Sequence, residues 1–280
     1  MVKIISDSTC DLSKELLEKY DVAIIPLHIH LGDEEYEDGI NLSANAIYEW
    51  SDANKQTPKT SAASMPEVME VFQKYADDEL LCFAVSEDMS SSANVMRLAA
   101  QELEMEERVT VINSENLSTG IGLLIIEAAI MAQKGNGASE IKAHIEELIP
   151  KVRASFVVDT LTYLHRGGRC SSVAALAGGA LRLHPKIVVK DGKMEVSKKY
   201  RGKINKVILS YVKDMEEDMR HAKKDRVFIT HSGCEQEVVD EVRAMLENMK
   251  IFDEILVTRA GGVISSHCGP GTLGVLFISE

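Results

Sequence analysis

No apolar stretch in this sequence approaches the ~20 residues that a bilayer-spanning helix needs; runs such as Ile121 to Ile126 are far shorter. A membrane helix is therefore not expected. The start, Met1-Val2-Lys3-Ile4-Ile5 followed at once by Ser6 and Asp7, lacks the ~7–15-residue apolar segment of a secretory signal. The expected location is the cytoplasm. Five cysteines (Cys10, Cys82, Cys170, Cys234, Cys268) lie far apart, are odd in number and form no C-x-x-C pair. That disfavours a disulfide framework and a zinc knuckle, and reduced thiols are expected. Neither G-x-x-x-x-G-K-[ST] nor G-x-S-x-G occurs, which removes the usual phosphate loop and nucleophile elbow. Gly269-Pro270-Gly271-Thr272-Leu273-Gly274 matches G-x-G-x-x-G, but the six residues that follow leave no helix to meet a pyrophosphate. Internal repeats and low-complexity tracts are lacking as well.

What is present is a globular composition: 280 residues, 45% apolar and 27% charged, with a formal net charge of −13. At ~100–200 residues per domain the length suggests two domains. The charge is unevenly spread, with 10 basic and 28 acidic residues over 1–150 against 13 basic and 3 acidic over 151–206. An acidic body with one basic stretch argues against wrapping a nucleic-acid backbone and fits a local anionic ligand or acidic partner.

Along residues 1–150 strands and helices alternate. Lys3 to Ser8 and Val22 to Leu31 read as strands, Leu80 to Ser86 as a buried strand, and Arg108 to Asn113 as another. Ala44 to Trp50, Met65 to Tyr75, a segment after Ser90-Ser91-Ser92, Thr119 to Gln133 and Ser139 to Leu148 read as helices. Ser64-Met65-Pro66-Glu67 carries a capping box, and Thr57 to Ser64 before it reads as a polar loop. This alternation predicts a parallel sheet covered on both faces, with ligands at the carboxyl ends of its strands. That rule selects Ser6 to Thr9, Ser86 to Ser92 and Asn113 to Thr119.

Pro150 marks a boundary, so the expected domains are 1–152, Rossmann-like, and 153–280, α/β with a mixed sheet. In the second, Ala154 to Asp159 reads as a strand, Leu161 to Arg169 as a helix, and Lys186 to Ser197 as a hairpin turning at Asp191-Gly192. A helix Ile204 to His221, a strand Arg226 to Thr230, a helix Gln236 to Met249 and strands near Glu254 to Thr258 and Gly274 to Ile278 complete it.

His28 and His30 share one strand face and could in principle hold a metal, but no nearby Cys or third His completes a set, so no metal is expected. Three hydroxyl-rich stretches stand out: Thr60-Ser61, Ser90, and Ser265-Ser266-His267 before a Gly-Pro-Gly turn. They supply neutral donors and one imidazole, equipment for holding a carboxylate, although each alone reads equally as a cap or turn. A helix N-terminus just after Ser90 would add backbone N–H groups.

Ile5-Ser6-Asp7-Ser8-Thr9-Cys10-Asp11-Leu12, Thr60-Ser61-Ala62-Ala63-Ser64, Ser86 to Ser92, Asp159-Thr160-Leu161 through Arg166-Gly167-Gly168-Arg169, and Ser266-His267-Cys268-Gly269-Pro270-Gly271 resemble, in order, the successive motifs of the DegV family. The resemblance spans essentially the whole chain. It implies a two-domain bacterial fatty-acid-binding protein, similar to the lipid-binding subunit of fatty acid kinase and not itself catalytic. A separate ATP-binding kinase subunit would phosphorylate the bound acid to an acyl phosphate, in service of phospholipid metabolism. Position by position, the resemblance implies that Ser90 and His267 hold the carboxylate, with Thr60 and Ser61 in the matching loop. It likewise assigns Arg169 and Arg201 to the head group or the partner. Ala62-Ala63 stands where Gln-Pro is usual, and Ser91-Ser92-Ala93 where Gly-Thr-Tyr is usual, so the head-group loops are expected to differ in shape.

A long-chain fatty acid would then be the sole ligand, with no cofactor, no nucleic acid and no stable membrane insertion. A chain of about sixteen carbons offers on the order of 10 kcal/mol of transfer energy at ~0.8 kcal/mol per buried CH₂, so the head group needs orientation more than strength. Leu161, Leu164, Ala174, Ala177 and Leu181, in and around the small apolar stretch after Arg169, are expected to line the tail; close helix-to-sheet packing is the other use of such residues. The competing reading is an acyl- or phosphoryl-transfer enzyme with Ser90 as nucleophile and His267 as base. Ser266 is the weaker nucleophile because, in an extended segment, it would point away from its neighbour His267.

Overall fold

The computed structural model describes residues 1–174 and 183–280, the side chains of Val173 and Ala174 excepted. Its strands are β1 (Val2–Asp7), β2 (Val22–Ile25), β3 (His28–Leu31), β4 (Glu34–Glu37), β5 (Lys59–Ser61), β6 (Glu79–Ala84), β7 (Val109–Asn113), β8 (Val152–Val157), β9 (Leu183–Lys190), β10 (Lys193–Arg201), β11 (Ala222–His231), β12 (Glu254–Arg259) and β13 (Leu273–Ser279). The helices are α1 (Lys14–Lys19), α2 (Ala44–Asn54), α3 (Met65–Lys74), α4 (Ser92–Glu102), α5 (Thr119–Gln133), α6 (Ala138–Leu148), α7 (Thr162–Gly167), α8 (Ser171–Ala174), α9 (Ile204–Asp214), α10 (Glu216–Arg220), α11 (Gln236–Met249) and α12 (Gly262–Cys268).

Strands β2-β1-β6-β7 form a sheet in that order, every pair parallel. Because successive strand residues face opposite sides, Ile5, Leu80, Cys82 and Ala84 pack with Val68 and Phe72 of α3 and Met96 of α4. Their neighbours Ile4, Leu81 and Phe83 pack against α5 on the other face. The near-continuous apolar sequence of β6 is thus the mark of burial on both sides.

Helix α5 is almost wholly apolar because most of it has no solvent face. Thr119 through Ala129 are all buried. The helix lies between the parallel sheet and a second, six-stranded mixed sheet, whose Val152, Ala154, Phe156, Leu276 and Ile278 share its core. That sheet runs β10-β9-β8-β13-β11-β12, with only β11 and β12 parallel. On its far side Val227, Ile229, Val275 and Phe277 pack with Tyr211 and Val212 of α9 and Leu246 of α11. The β9–β10 hairpin turns through Asp191 (φ 48°) and Gly192 (φ 75°), the pair of positive φ values that a type I′ turn requires.

Four expectations need correction. Val22 to Leu31 is two strands in two sheets, because Pro26 offers no N–H to a ladder: β2 joins the parallel sheet, and β3 pairs antiparallel with β4 and β5 in a third. The expected loop Thr57 to Ser64 contains β5. The helix expected over Ile204 to His221 breaks at Met215, whose amide turns to Val212 O in a tighter turn. Ser265-Ser266-His267 is not extended; it lies in α12, which stops at Gly269 (φ 75°). This helix packs back on the small sheet, its Val263 in a core with Leu27, Ile29 and Ile47.

Candidate functional site

In the parallel sheet β1 and β6 are adjacent, and the chain leaves them in opposite directions across the sheet, to β2 and to β7. A crevice opens at the carboxyl ends of strands at such a switch point. The segments that leave these strands line a cavity of about 270 Å³: Thr9 after β1, Val85, Met89, Ser90 and Ser91 after β6, and Leu117 after β7. The small sheet adds Leu27, Thr60, Ser61 and Ala62, and the second half of the chain adds Arg169, Met194, Val263, Ile264, His267 and Cys268. A further hollow of about 30 Å³ shares Leu117, Ile264 and Cys268 with it and continues to Phe156 and Leu276. Both are mainly apolar.

The strand-end loops are held by Asp7, buried at the end of β1. One of its oxygens accepts from Thr9 N and Thr9 Oγ1, and the other from Val85 N at 2.9 Å, tying the β1 and β6 exits together. Burial pushes this carboxyl up to about 6.

Polar side chains interrupt this apolar lining. His267 Nε2 lies 2.8 Å from Thr60 Oγ1, joining residues from opposite ends of the chain. Among the described residues its Nδ1 is buried without a partner, and it faces the backbone of Gly167, where an added Cβ would come within 2.5 Å. An Nδ1 proton would have no acceptor, so the ring proton belongs on Nε2, which donates to Thr60 Oγ1 and leaves the Thr60 hydroxyl proton free. Burial, then the Arg169 guanidinium, lowers the imidazole to about 4, so it is neutral at physiological pH. Ser61 Oγ is 3.0 Å from His30 Nε2, and Ser90 Oγ is 2.9 Å from Ser92 Oγ and accepts from Ser92 N. Helix α4 begins at Ser92 with Ser91 as its N-cap, just after Ser90 as expected.

Arg169 lies exposed on the rim, its Nη1 donating to Gly167 O at 2.8 Å and its Nε to Met89 O at 3.4 Å. The guanidinium thereby bridges the end of α7 and the loop after β6. Thr60, Ser61, Ser90, His267 and Arg169 therefore line one cavity. Arg201, exposed at the end of β10, does not line it.

Of the residues expected to line the tail, the two with described side chains lie outside this cavity. Leu164 is buried in the large core and Leu161 packs at its edge, and neither lines the cavity. Ala177 and Leu181 lie outside the described residues, and Ala174 is described only as the last backbone position of α8. The apolar lining comes from Leu27, Val85, Met89, Leu117, Met194, Val263, Ile264 and Cys268, which the sequence reading did not single out. For Val85, Met89 and Leu117 the strand-end rule was a usable signal.

Among the described residues no group of three or more His, Cys, Asp and Glu side chains is placed to hold a metal. His28 lies between carboxylates, Nδ1 2.8 Å from Glu35 and Nε2 2.9 Å from Glu67. Neither serine of the competing reading is paired with the cavity imidazole: Ser90 turns to Ser92, and Ser266 Oγ donates to Gly262 O within α12, while the hydroxyl that His267 meets is that of Thr60. Among the described residues no helix is long and apolar enough to cross a membrane.

Comparison with known proteins gives a full-length match. The profile described as "Uncharacterised protein, DegV family" matches residues 1–280. A DegV domain-containing protein of Deinococcus radiodurans is 32% identical over 281 residues, covering 98% of this chain and 97% of the relative. A Thermus thermophilus structure titled for fatty acid binding of a DegV family protein superimposes with a TM-score of 0.90 at 28% identity, covering 100% of this chain and 99% of that one. A stearic acid-binding protein from Eubacterium ventriosum gives 0.86 at 30% identity, covering 100% and 98%.

Proposed function

The chain belongs to the DegV family over its whole length, and from that premise we propose that it is a fatty-acid carrier, holding one long-chain acid with its carboxylate between two domains, 1–152 and 153–280. The observation that carries this reading is a mainly apolar hollow whose lining also includes Thr60, Ser61, Ser90 and neutral His267, with Arg169 on the rim. The fatty-acid-binding titles of the Thermus thermophilus and Eubacterium ventriosum structures support the ligand class.

The chemistry follows from the tautomer. His267 Nε2–H donates to Thr60 Oγ1, so the Thr60 hydroxyl donates onward to the ligand carboxylate, and Ser90 and Ser61 lie on the same lining to complete its solvation. A neutral imidazole orients an anion without fixing it as an ion pair would. The tail lies along Met89, Leu117, Met194 and Ile264 and points toward the smaller hollow behind Cys268. The protein then presents the carboxylate to a separate ATP-binding kinase subunit. There a carboxylate oxygen attacks the γ-phosphorus, forming the acyl phosphate and releasing ADP. Arg169 at the mouth, and Arg201 on the exposed hairpin end, are the cations placed to meet phosphate or partner.

Native mass spectrometry of the protein purified from a bacterial host tests this directly. The expected result is one added mass equal to a long-chain fatty acid, recovered in the organic extract. His267→Ala and Ser90→Ala should each weaken binding about tenfold, the value of one charge-assisted hydrogen bond, with far-UV circular dichroism unchanged. A ligand-free mass that persists after incubation with palmitate overturns the reading.

A further inference from the structure

His267 can meet Thr60 only if α12 is held in one place on the small sheet, and the helix cannot fix its own beginning. Its N-cap is Gly261, which has no side chain to cap with. The caps come from the other half of the chain. Asp11 Oδ1 accepts from Gly261 N at 2.8 Å, and Asp38 Oδ1 accepts from Gly262 N at 2.7 Å. Both carboxyl groups are buried, at 6% and 3% exposure. Their second oxygens are held too: Ser118 Oγ donates to Asp11, and Ser8 Oγ donates to Asp38 Oδ2 at 2.8 Å. Ser8 in turn accepts from Leu27 N at 3.1 Å, so the clamp is anchored on a residue that lines the cavity.

A second feature shows how closely the helix start is seated. A Cβ added at Gly262 would come within 2.5 Å of Ile29 Cδ1 and 3.0 Å of Asp38 Oδ1, leaving no room for a side chain. Gly262 and His267 are five positions apart on one short helix, about 7–8 Å along its axis at 1.5 Å per residue. A tilt or slide at the first turn therefore reaches the imidazole almost undamped.

We infer that Asp11 and Asp38 are positioning residues for His267: by capping the first amides of α12 from across the domain seam, they set where its imidazole meets Thr60 and, through that hydroxyl, how the acid group of the ligand is met. This rests on the proposed function for its ligand and on the coordinates for the clamp itself. Burial raises both carboxyls above the ordinary range, Asp11 to about 8, and a protonated carboxyl still accepts from the amide through its carbonyl oxygen.

The test uses the full-length chain and two probes of equal tail length, palmitate and 1-hexadecanol, the second lacking the acid. Asp38→Ala and Gly262→Ala should each weaken palmitate about tenfold, as expected for loss of one well-oriented polar contact, while hexadecanol changes less than about twofold. Asp38→Asn keeps the acceptor and should restore palmitate binding. In a His267→Ala background Asp38→Ala should cost nothing further, because coupled residues are not additive. Equal losses for both probes, additivity in that cycle, or parent-like palmitate binding by both variants would overturn the assignment.

The clamp is also read without lipid. ¹⁵N-histidine spectra should show an Nε2-protonated ring for His267 in the parent and in Asp38→Asn, and a shifted resonance in Asp38→Ala; an unmoved resonance sinks the clamp. If the parent binds neither probe but the resonance moves, the positioning role stands and the carrier reading falls.

Discussion

Two clusters of buried charge cross the seam between the sheets, and they are built on opposite plans. At one, Glu127 in the middle of α5 accepts from Lys223 Nζ at 2.7 Å and from Arg226 Nη1, cations on β11. At the other, Asp11 and Asp38 reach across, with Asp7 behind them, and among the described residues the three meet only amides and hydroxyls: Val85 N and Thr9 for Asp7, Gly261 N and Ser118 for Asp11, Gly262 N and Ser8 for Asp38. An ion pair holds two elements together with loose angular preference, whereas a carboxyl oxygen facing a backbone N–H fixes direction. The seam is thus ionic where it only has to hold and directional where it has to place the helix that carries His267.

The largest effect should come from breaking the ionic cluster. Glu127→Ala takes from Arg226, whose side chain is 9% exposed, its closest carboxylate and leaves it Glu254 at 3.7 Å, while Lys223 keeps Asp225 at 2.7 Å. Removing one partner of a buried pair costs about 3–5 kcal/mol. Urea unfolding should register that loss, with palmitate affinity at permissive temperature unchanged. A loss of binding equal to that of His267→Ala would show that the two clusters are not separable in role.

The directional cluster should instead reveal itself through pH. Burial raises Asp11 to about 8, with the nearby carboxyls of Asp38 and Asp7 adding to the shift. The Cys10 and Cys268 thiols that also feel Asp11 are pushed up to about 12 and stay neutral. A carboxyl whose folded pKa lies above its unfolded value contributes stability that is complete below about pH 4 and is lost as pH rises through about 8. Asp11→Asn mimics the protonated form and escapes that loss. Its melting temperature relative to the parent should climb by several degrees from pH 5 to pH 8.5, as checked by differential scanning calorimetry. A difference that is flat with pH would mean Asp11 is ionised throughout, and the neutral-donor plan would need revision.

This comparison also marks what could be read before any coordinates. The continuous burial of β1 and β6, the Ser64–Glu67 capping box, the almost wholly apolar α5 and the Asp191-Gly192 turn are local, and each is visible because a single stretch satisfies its own physical requirement. Thr60, Ser61, Ser90, His267 and Arg169 were legible through their resemblance to family motifs, and they do share one cavity. The clamp was not legible. Asp11 and Gly261 are 250 positions apart, and nothing in either segment announces the other. Helix α12 was missed for a related reason: its caps are supplied from elsewhere, so the sequence around Gly262 carries no start signal of its own. The tail residues were sought beside Arg169, whereas the hollow is lined by strand-end loops whose apolar side chains read simply as core.

The smallest effect sharpens the comparison at its edge. The hairpin tip docks on the loop after β6 in two ways: Ser86 Oγ donates to Gly192 O at 2.7 Å, buried, and Lys193 Nζ pairs with Asp88 at 3.5 Å, exposed. Lys193 and Asp88 are 65% and 48% exposed, so solvent screens their pairing. Lys193→Ala should change unfolding free energy by no more than about 0.5 kcal/mol. Ser86→Ala leaves the Gly192 carbonyl without its buried donor and should cost about 1–3 kcal/mol. If the two variants proved equally costly, charge would be holding the tip as it holds Glu127. If only Ser86→Ala matters, the cavity end of the seam is directional throughout, from the hairpin beside Met194 to the start of α12, and charge pairing there is confined to the rim.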